Sequence, residues 1–163
     1  YTSGVYNDNK CIMTDGNIQR FSYVYFDPLR FYRKSGFIVA DITLNNTDIT
    51  VINSHLTADI SLFKQETEIK ELTEYINTNK LNEHKLIVAG DFNYPDLELC
   101  GHVINNFPEQ LRLEQIKPGC TFPSWMPIIH LDRIFYNNIV IKNHNKIEST
   151  NSDHYPVLAF FIN

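Results

Sequence analysis

The sequence has few of the residues that mark specialised classes of protein. Its 163 residues include three cysteines, six glycines and one tryptophan. The cysteines Cys11, Cys100 and Cys120 are odd in number and form no Cys-x-x-Cys pair, which indicates neither a zinc site nor a disulfide framework. We expect free thiols, buried or partly buried, with one disulfide in a secreted protein as the alternative.

The sequence also lacks an excess of basic residues and long apolar runs. Its formal net charge is −5, which argues against a protein that coats nucleic acid by charge alone. No run approaches the roughly 20 apolar residues of a membrane span, and no signal peptide is visible. We therefore expect a soluble chain, with the cytoplasm slightly favoured. The first residue is Tyr1, so we expect a mature product or a fragment.

What is present suits one folded domain over residues 1–163. Apolar residues make up 43% and aromatic residues 13% of the chain, enough for a core of its own. Two strands, Phe37–Leu44 and Asp48–Asn53, are separated by Asn45-Asn46 and predict a hairpin. The clearest helix is Asp59–Asn77, with an apolar face of Leu62, Ile69, Leu72 and Ile76 and with charge pairs expected in solvent. Further strands are predicted at Lys10–Thr14, Phe21–Asp27, Leu131–Tyr136, Ile139–Ile147 and Val157–Ile162. The segment 94–108 predicts a loop and a short helix, and 118–127 an ordered loop. The order of elements predicts an α/β or α+β fold.

The stretch Leu86–Asn93 is the most informative. Its apolar run Leu86–Ala89 is typical of a strand buried on both faces. Gly90 then lets the backbone turn, and Asp91 and Asn93 follow two residues apart. If the strand continues, both polar side chains leave on the same side. The alternative is a strand that simply ends in a polar turn.

Four polar clusters end or follow apolar strands. Each alone has an ordinary explanation as a turn, a polar loop or a local ion pair, such as Asp132 with Arg133. Strand ends at one edge of a sheet converge in space, however, and together these side chains are the parts of a site for metal-assisted hydrolysis. The clusters are Asn53-Ser54-His55, Asp91-Phe92-Asn93, Asp132-Arg133 and Ser152-Asp153-His154.

The same clusters carry a resemblance to a known family. Asn-Ser-His-Leu, Gly-Asp-Phe-Asn, Leu-Asp-Arg-Ile-Phe and Ser-Asp-His-Tyr-Pro-Val occur in the order found in the endonuclease/exonuclease/phosphatase superfamily, which includes deoxyribonuclease I. The resemblance covers roughly Arg33 to the end of the chain. It implies a four-layer αββα sandwich, here incomplete at its N-terminus, that hydrolyses phosphate esters with Mg²⁺ or Mn²⁺.

The resemblance also implies catalytic roles. His55 and His154 would donate hydrogen bonds to the phosphoryl oxygens. Asp132 would hold His154 in one tautomer and raise its pKa. Asp91 would orient or deprotonate the attacking water, and Asn93 would position Asp91 or the phosphate.

The implied metal ligands are Asp153, Asp91 and Asn93, because Mg²⁺ prefers hard oxygen donors. Arg33 is a weaker match to an arginine that contacts phosphate, and a solvated surface arginine is the alternative. The family's first-strand Asn and its metal-binding Glu have no counterpart here. The helix residues Glu66, Glu68, Glu71 and Glu74 do not match that Glu.

The resulting prediction is a Mg²⁺-dependent phosphodiesterase, most plausibly a nuclease acting on DNA or RNA. One alternative is a lipid or inositol phosphate phosphatase or a phospholipase, and another is an inactive fragment or partner-binding module. Residues 94–130 are the candidates for substrate choice, yet they show neither a basic, aromatic-interleaved run nor an obvious membrane-inserting hairpin. A missing N-terminal segment would leave the isolated chain impaired, with a sheet edge at Phe21–Asp27 and Asp48–Asn53 exposed.

Overall fold

A computed structural model of the chain describes residues 3–7, 10–27, 35–58, 63–94, 110–149 and 151–162. These residues include ten strands, the α-helix α1 at Phe63–Thr78, a short 3₁₀ helix at Leu81–Glu83 and two further helical residues, Gln110 and Leu111. The strands are β1 Ser3–Asn7, β2 Lys10–Thr14, β3 Asn17–Tyr25, β4 Gly36–Leu44, β5 Thr47–His55, β6 Leu86–Asp91, β7 Glu114–Ile116, β8 Asp132–Asn137, β9 Val140–Lys146 and β10 Val157–Ile162.

The centre of the structure is a six-stranded sheet in the order β3-β4-β5-β6-β8-β7. Strands β5 and β6 are parallel, and the other neighbours are antiparallel. The parallel pair needs a crossover, which α1 provides between the two strands. The crossover aligns the carboxyl ends of β5 and β6 at one edge of the sheet.

The predicted hairpin before α1 is confirmed as β4 and β5. Asn45 and Asn46 form its turn, with φ angles of 50° and 61°. Asparagine tolerates this left-handed conformation, which matches the twist of the paired strands. The pairing extends to Ser54 opposite Phe37, so β5 runs on as a rigid strand to His55.

Apolar side chains alternate along the central strands and bury both faces of the sheet. On one face, Leu72 and Ile76 of α1 are fully buried against Ile52, Leu86 and Val88. Burial of a side chain of this size contributes roughly 1.5–3 kcal/mol to stability. On the other face lie two hairpins: β1–β2, which packs on Ile38, Ala40 and Ile42, and β9–β10, which packs on Ile87, Ile134 and Tyr136.

The predicted mixed α/β class is thus confirmed, with a helix, a central sheet and a second layer of strands in the described part of the chain. No helix there is long and apolar enough to cross a membrane. Cys120 is a partly buried free thiol, as expected, whereas Cys11 is free but exposed, contrary to expectation. Cys100, Arg33 and the loop-and-helix prediction for 95–108 lie outside the described residues.

The expectation for the charged side of α1 was wrong, and the expectation for the sheet edge was right only in part. Within the described residues α1 begins at Phe63, and the predicted start at 59–62 lies outside them. Its charged side is not simply solvated, because Glu68 is fully buried. The strand predicted at Asp48–Asn53 is not an edge, since β5 is paired with β4 on one side and β6 on the other. Among the described strands, β3 and β7 are the edges of the central sheet, so the edge predicted at Phe21–Asp27 falls on β3.

Gly90 fixes the closest approach of two central strands. Its φ is +145°, and a Cβ atom there would lie 1.8 Å from the carbonyl oxygen of Ser54 on β5. The contact is with backbone, which cannot move without breaking the β5–β6 ladder.

We therefore expect Gly90→Ala to lower the free energy of unfolding by about 3 kcal/mol or more, because strain and overlap add. Gly119→Ala is the matched control: its φ is also positive, at +88°, but its nearest neighbour would be the flexible Lys146 Nζ at 3.7 Å. Its expected loss is about 1 kcal/mol. Urea denaturation measures both, and equal losses would contradict the role given to Gly90.

Candidate active site

Strand register places three of the predicted residues in one row. His55 is the partner of Asp91 in the β5–β6 pair, and Asp91 is the partner of Asp132 in the β6–β8 pair. Paired residues project to the same face of a sheet. By alternation from Ile87 and Ile134, this face is the one that the two hairpins cover. The row therefore lies at the carboxyl ends of β5 and β6, as the sequence predicted.

His154 joins this row from the segment before β10. Its Nδ1 atom lies 2.7 Å from Asp132 Oδ2. Its Nε2 atom lies 3.9 Å from Asp91 Oδ2, and His55 Nε2 lies 3.6 Å from the same oxygen. Asp91 Oδ2 thus lies between the imidazoles of His55 and His154. The carboxylate of Asp132 orients the His154 ring.

The surroundings of Asp91 favour the protonated form of its carboxyl group more than water does. Burial is the main cause and raises the pKa of its carboxyl group, and nearby Asp132 raises it further. The Asn93 N–H, which donates to Asp91 Oδ1 at 2.8 Å, and the two histidines act in the opposite direction. The net pKa is raised, which moves the group toward the range in which a carboxylate accepts a proton from water.

His154 has a raised pKa for a different reason. Burial alone would lower the pKa of this imidazole, but the hydrogen bond to Asp132 and the charges of Asp132, Asp91 and Asp153 outweigh it. With its Nδ1–H donated to Asp132, the Nε2 atom faces the row and can donate when the ring is protonated. The predicted role of Asp132 toward His154 therefore agrees with their geometry.

Asn93 does not project from the same strand face as Asp91, which the spacing of the two residues had predicted for a continuing strand. The strand ends at Asp91, and Asn93 is left-handed with a φ of 45°, so the two side chains do not share a continuing strand face. The Asn93 side chain instead donates through Nδ2 to Leu56 O at 2.9 Å, and Leu56 N–H donates to Asp91 O at 2.9 Å. Asn93 thus joins the segment after β6 to the segment after β5 and holds Asp91 through its backbone amide.

The loop at 121–130 supports the His154 segment. Ser124 N–H donates to Asp153 O at 2.7 Å, and Tyr155 N–H donates to Thr121 O at 2.9 Å. The ring of Phe122 lies 4.8 Å from that of His154, centroid to centroid. A bridge between Phe122 and Ile129 closes the loop, as the prediction of an ordered loop requires.

The tip of this loop carries a feature that the sequence analysis missed. Trp125 is 74% exposed, Met126 49% and Ile128 62%. Neither composition nor spacing distinguished these side chains from core residues, but the loop closure turns them outward. The result is an apolar tip, Trp125–Ile128, on the loop that supports the His154 segment.

A cavity of about 310 Å³ lies against the row, and both polar and apolar residues line it. It is lined by Ala89, Gly90, Asp91, Asp132, Arg133, Ile134, Ser152, His154, Tyr155, Pro156 and Val157. The cavity therefore places space for a small group directly beside Asp91 and His154.

Arg133 and Asp153 lie outside the row formed by His55, Asp91, Asp132 and His154. Arg133 is 1% exposed and donates to Tyr94 O and His130 O, so it is part of the core. Asp153 is exposed, within the segment that precedes β10. Arg33 lies outside the described residues.

The implied metal is not matched by a complete site in the described part of the chain. No group of three or more His, Cys, Asp or Glu residues there is arranged to hold a metal ion. Asp91 and Asp153 are the carboxylates available, and the Asn93 side-chain amide is engaged with Leu56. The described residues therefore supply carboxylates but not a complete ligand set for Mg²⁺, which usually binds one or two carboxylates together with water and substrate oxygens.

No protein-family model matches the chain, and no curated protein matches it by sequence. Solved structures do match. Beta toxin from Staphylococcus aureus has a TM-score of 0.68 at 17% identity, over 92% of this chain and 66% of that chain. The catalytic domain of human Nocturnin has a TM-score of 0.76 at 15% identity, over 99% of this chain and 72% of that chain.

A third similar structure is the 3′ phosphatase NExo from Neisseria bound to a product DNA hairpin, with a TM-score of 0.73 at 17% identity, over 99% of this chain and 79% of that chain. These similarities show the fold: the chain has the deoxyribonuclease I-like fold, and its resemblance to the endonuclease/exonuclease/phosphatase superfamily is confirmed at that level. The chain spans just under two thirds of the length of the beta toxin.

The Asp132–His154 pair predicts a measurable titration. Asp132→Asn removes the main interaction that raises the pKa of His154, so the titration midpoint of its C2–H proton should move to lower pH. A raised folded-state pKa stabilises the protein below the unfolded-state pKa, and this stabilisation is lost as pH rises through the folded-state value. The variant should therefore lose more stability at about pH 5 than at about pH 9.

Proton NMR measures the midpoint and urea denaturation the stability, with the signal of the exposed His144 on β9 as an internal reference. An unchanged His154 midpoint would show that Asp132 does not control its protonation.

Proposed function

We propose that this chain hydrolyses phosphate esters, and that its substrate is a phosphodiester. The observation that carries the proposal is the arrangement of Asp91 Oδ2 between His55 Nε2 at 3.6 Å and His154 Nε2 at 3.9 Å. Two imidazole donors around one carboxylate suit a reaction in which negative charge spreads over phosphoryl oxygens while water is activated. The deoxyribonuclease I-like fold and the named 3′ phosphatase among its structural neighbours support the same class of reaction.

The proposed step is an in-line attack of water on phosphorus. Asp91 orients the water and accepts its proton, which its raised pKa favours. The water oxygen forms a bond to phosphorus while the bond to the leaving oxygen breaks. His55 and His154 donate through Nε2 to the phosphoryl oxygens, and Asp132 holds the His154 ring through Nδ1.

Dependence on Mg²⁺ or Mn²⁺ remains part of the proposal and rests on the family resemblance. Asp91 and Asp153 are the carboxylates that the described residues could contribute. Since these two carboxylates do not complete an octahedral coordination shell, the remaining oxygen ligands would come from water, the substrate or residues outside those described. The reaction steps above are assigned to the protein's own residues.

Nucleic acid is the first proposed substrate, because NExo was solved with a DNA product and shares the fold. A phospholipid is the second, favoured by the exposed apolar tip Trp125–Ile128. Indole side chains are well suited to membrane interfaces. A panel of supercoiled plasmid, RNA, sphingomyelin vesicles, inositol phosphates and bis-p-nitrophenyl phosphate compares them.

Trp125→Ala separates the two substrates further. On a lipid-specific enzyme it should reduce sphingomyelin hydrolysis while leaving the turnover of bis-p-nitrophenyl phosphate unchanged. Absence of turnover of every substrate, with and without Mg²⁺ and Mn²⁺, would favour the partner-binding alternative.

His55→Ala and His154→Ala should each lower kcat by about 100-fold or more, because each removes one donor to the transition state. Asp132→Asn should cost almost as much as His154→Ala, with little further loss when both are combined, since Asp132 acts through His154. Steady-state hydrolysis of bis-p-nitrophenyl phosphate measures these effects.

His144→Ala on β9 is the control, because it removes an exposed histidine outside the row. Near-normal kcat in either site variant would refute the assignment. Additive losses for Asp132 and His154 would show that Asp132 acts independently of the imidazole.

A further inference from the structure

One buried carboxyl group on α1 is not accounted for by the proposed reaction. Glu68 is fully buried, although it lies among the charged residues of an otherwise amphipathic helix. Burying a carboxyl group is costly unless hydrogen bonds compensate for the lost water. Its partners therefore identify what the residue does.

Those partners lie at the open end of the β4–β5 hairpin, one just before β4 and the other just after β5. Glu68 Oε2 accepts from Thr57 N–H at 2.7 Å, and Glu68 Oε1 accepts from Thr57 Oγ1 and Ser35 Oγ, each at 2.7 Å. Thr57 is two residues after His55, and Ser35 directly precedes β4. Both carboxyl oxygens are thus occupied by the segment that follows the site histidine and by the start of the neighbouring strand.

The intervening residue, Leu56, is fixed as well. Its N–H donates to Asp91 O and its carbonyl accepts from Asn93 Nδ2, each at 2.9 Å. One helical turn before Glu68, Gln65 Nε2 donates to Asn93 O at 3.3 Å. Gln65 and Glu68 therefore bind the segments after β6 and β5, the two strands that end in Asp91 and His55.

We propose that Glu68 is a positioning residue that sets the orientation of His55 through Thr57. It does not touch the row itself. The side chain of His55 is 39% exposed, so packing alone restrains it less than Asp91, whose side chain is 19% exposed. The hydrogen bonds from Thr57 to Glu68 of α1 add a restraint at the end of β5. This inference rests on the proposed function for its kinetic effect, but the geometry can be tested without it.

The experiment compares Glu68→Ala with Glu71→Ala. Glu71 is a matched control, since it lies on the same helix and its Oε2 also accepts from a loop amide, Asp27 N–H, at 2.9 Å. Asp27 follows β3 and is itself not a member of the row. Glu68→Gln is the conservative variant, because an amide can accept from Thr57 N–H and donate to the hydroxyl oxygens.

In the complete chain, Glu68→Ala should lower kcat for bis-p-nitrophenyl phosphate by about 10- to 100-fold, the scale of a displaced catalytic group, with KM changed less than about threefold. Glu68→Gln should recover kcat to within about threefold of the unmodified chain, and Glu71→Ala should remain in the same range. Equal losses of kcat in Glu68→Ala and Glu71→Ala would overturn the proposal by showing that both act only on stability.

The second readout is the imidazole spectrum of His55, measured by proton–nitrogen NMR and assigned by its absence from His55→Ala. Glu68→Ala should shift the His55 ring signals and Glu71→Ala should not. This readout needs no activity, so it separates failure of the positioning role from failure of the proposed hydrolase function. If Glu68→Ala does not fold, Thr57→Val replaces it, since it removes only the hydroxyl donor. Unchanged His55 signals in the folded variant would overturn the proposal.

Discussion

The register of β5, β6 and β8 is the constraint on which the rest of the structure depends. Because side chains alternate with a period of two, a slip of one residue would turn a whole strand's polar and apolar side chains to the opposite faces. Gly90 restricts slippage, because a Cβ atom at the position opposite Ser54 would lie 1.8 Å from Ser54 O and only glycine fits there. With this register, His55, Asp91 and Asp132 form a row, and the apolar residues before them remain in the core.

The site residues on strands are therefore fixed by strand pairing, and the site residue in a loop is fixed by hydrogen bonds. His154 belongs to a loop, but Asp132 holds its ring at 2.7 Å, and the loop at 121–130 binds the backbone on both sides of it. On the opposite face of the sheet, α1 contributes buried polar side chains as well as Leu72 and Ile76. The helix thus has two roles, since it covers the core and binds the segments after β5 and β6.

Local sequence signals predicted much of this arrangement. They failed where contacts with residues distant in sequence determine the burial or position of a residue. The Asn45-Asn46 turn and the polar clusters at strand ends are local, and both are found where expected. Glu68 was expected in solvent because its partners Thr57 and Ser35 are 11 and 33 residues away and invisible to helical periodicity. The strand at Asp48–Asn53 was expected at an edge because its pairing strands were assigned to a missing N-terminal segment. Its actual partners are β4 and β6, and β6 follows only after α1. The left-handed turn at Asn93 and the outward tip at Trp125 likewise depend on contacts made by the folded chain.

The central claim is that His55, Asp91 and His154 act together on a phosphoryl group attacked by water. The most direct test is hydrolysis of bis-p-nitrophenyl phosphate in ¹⁸O-labelled water, with mass spectrometry of the p-nitrophenyl phosphate product, in the unmodified chain and in a variant carrying both His55→Ala and His154→Ala. The account predicts one ¹⁸O atom on phosphorus per turnover, at a rate that falls to background in the double variant. Turnover that persists in the double variant, or product without ¹⁸O on phosphorus, would contradict it.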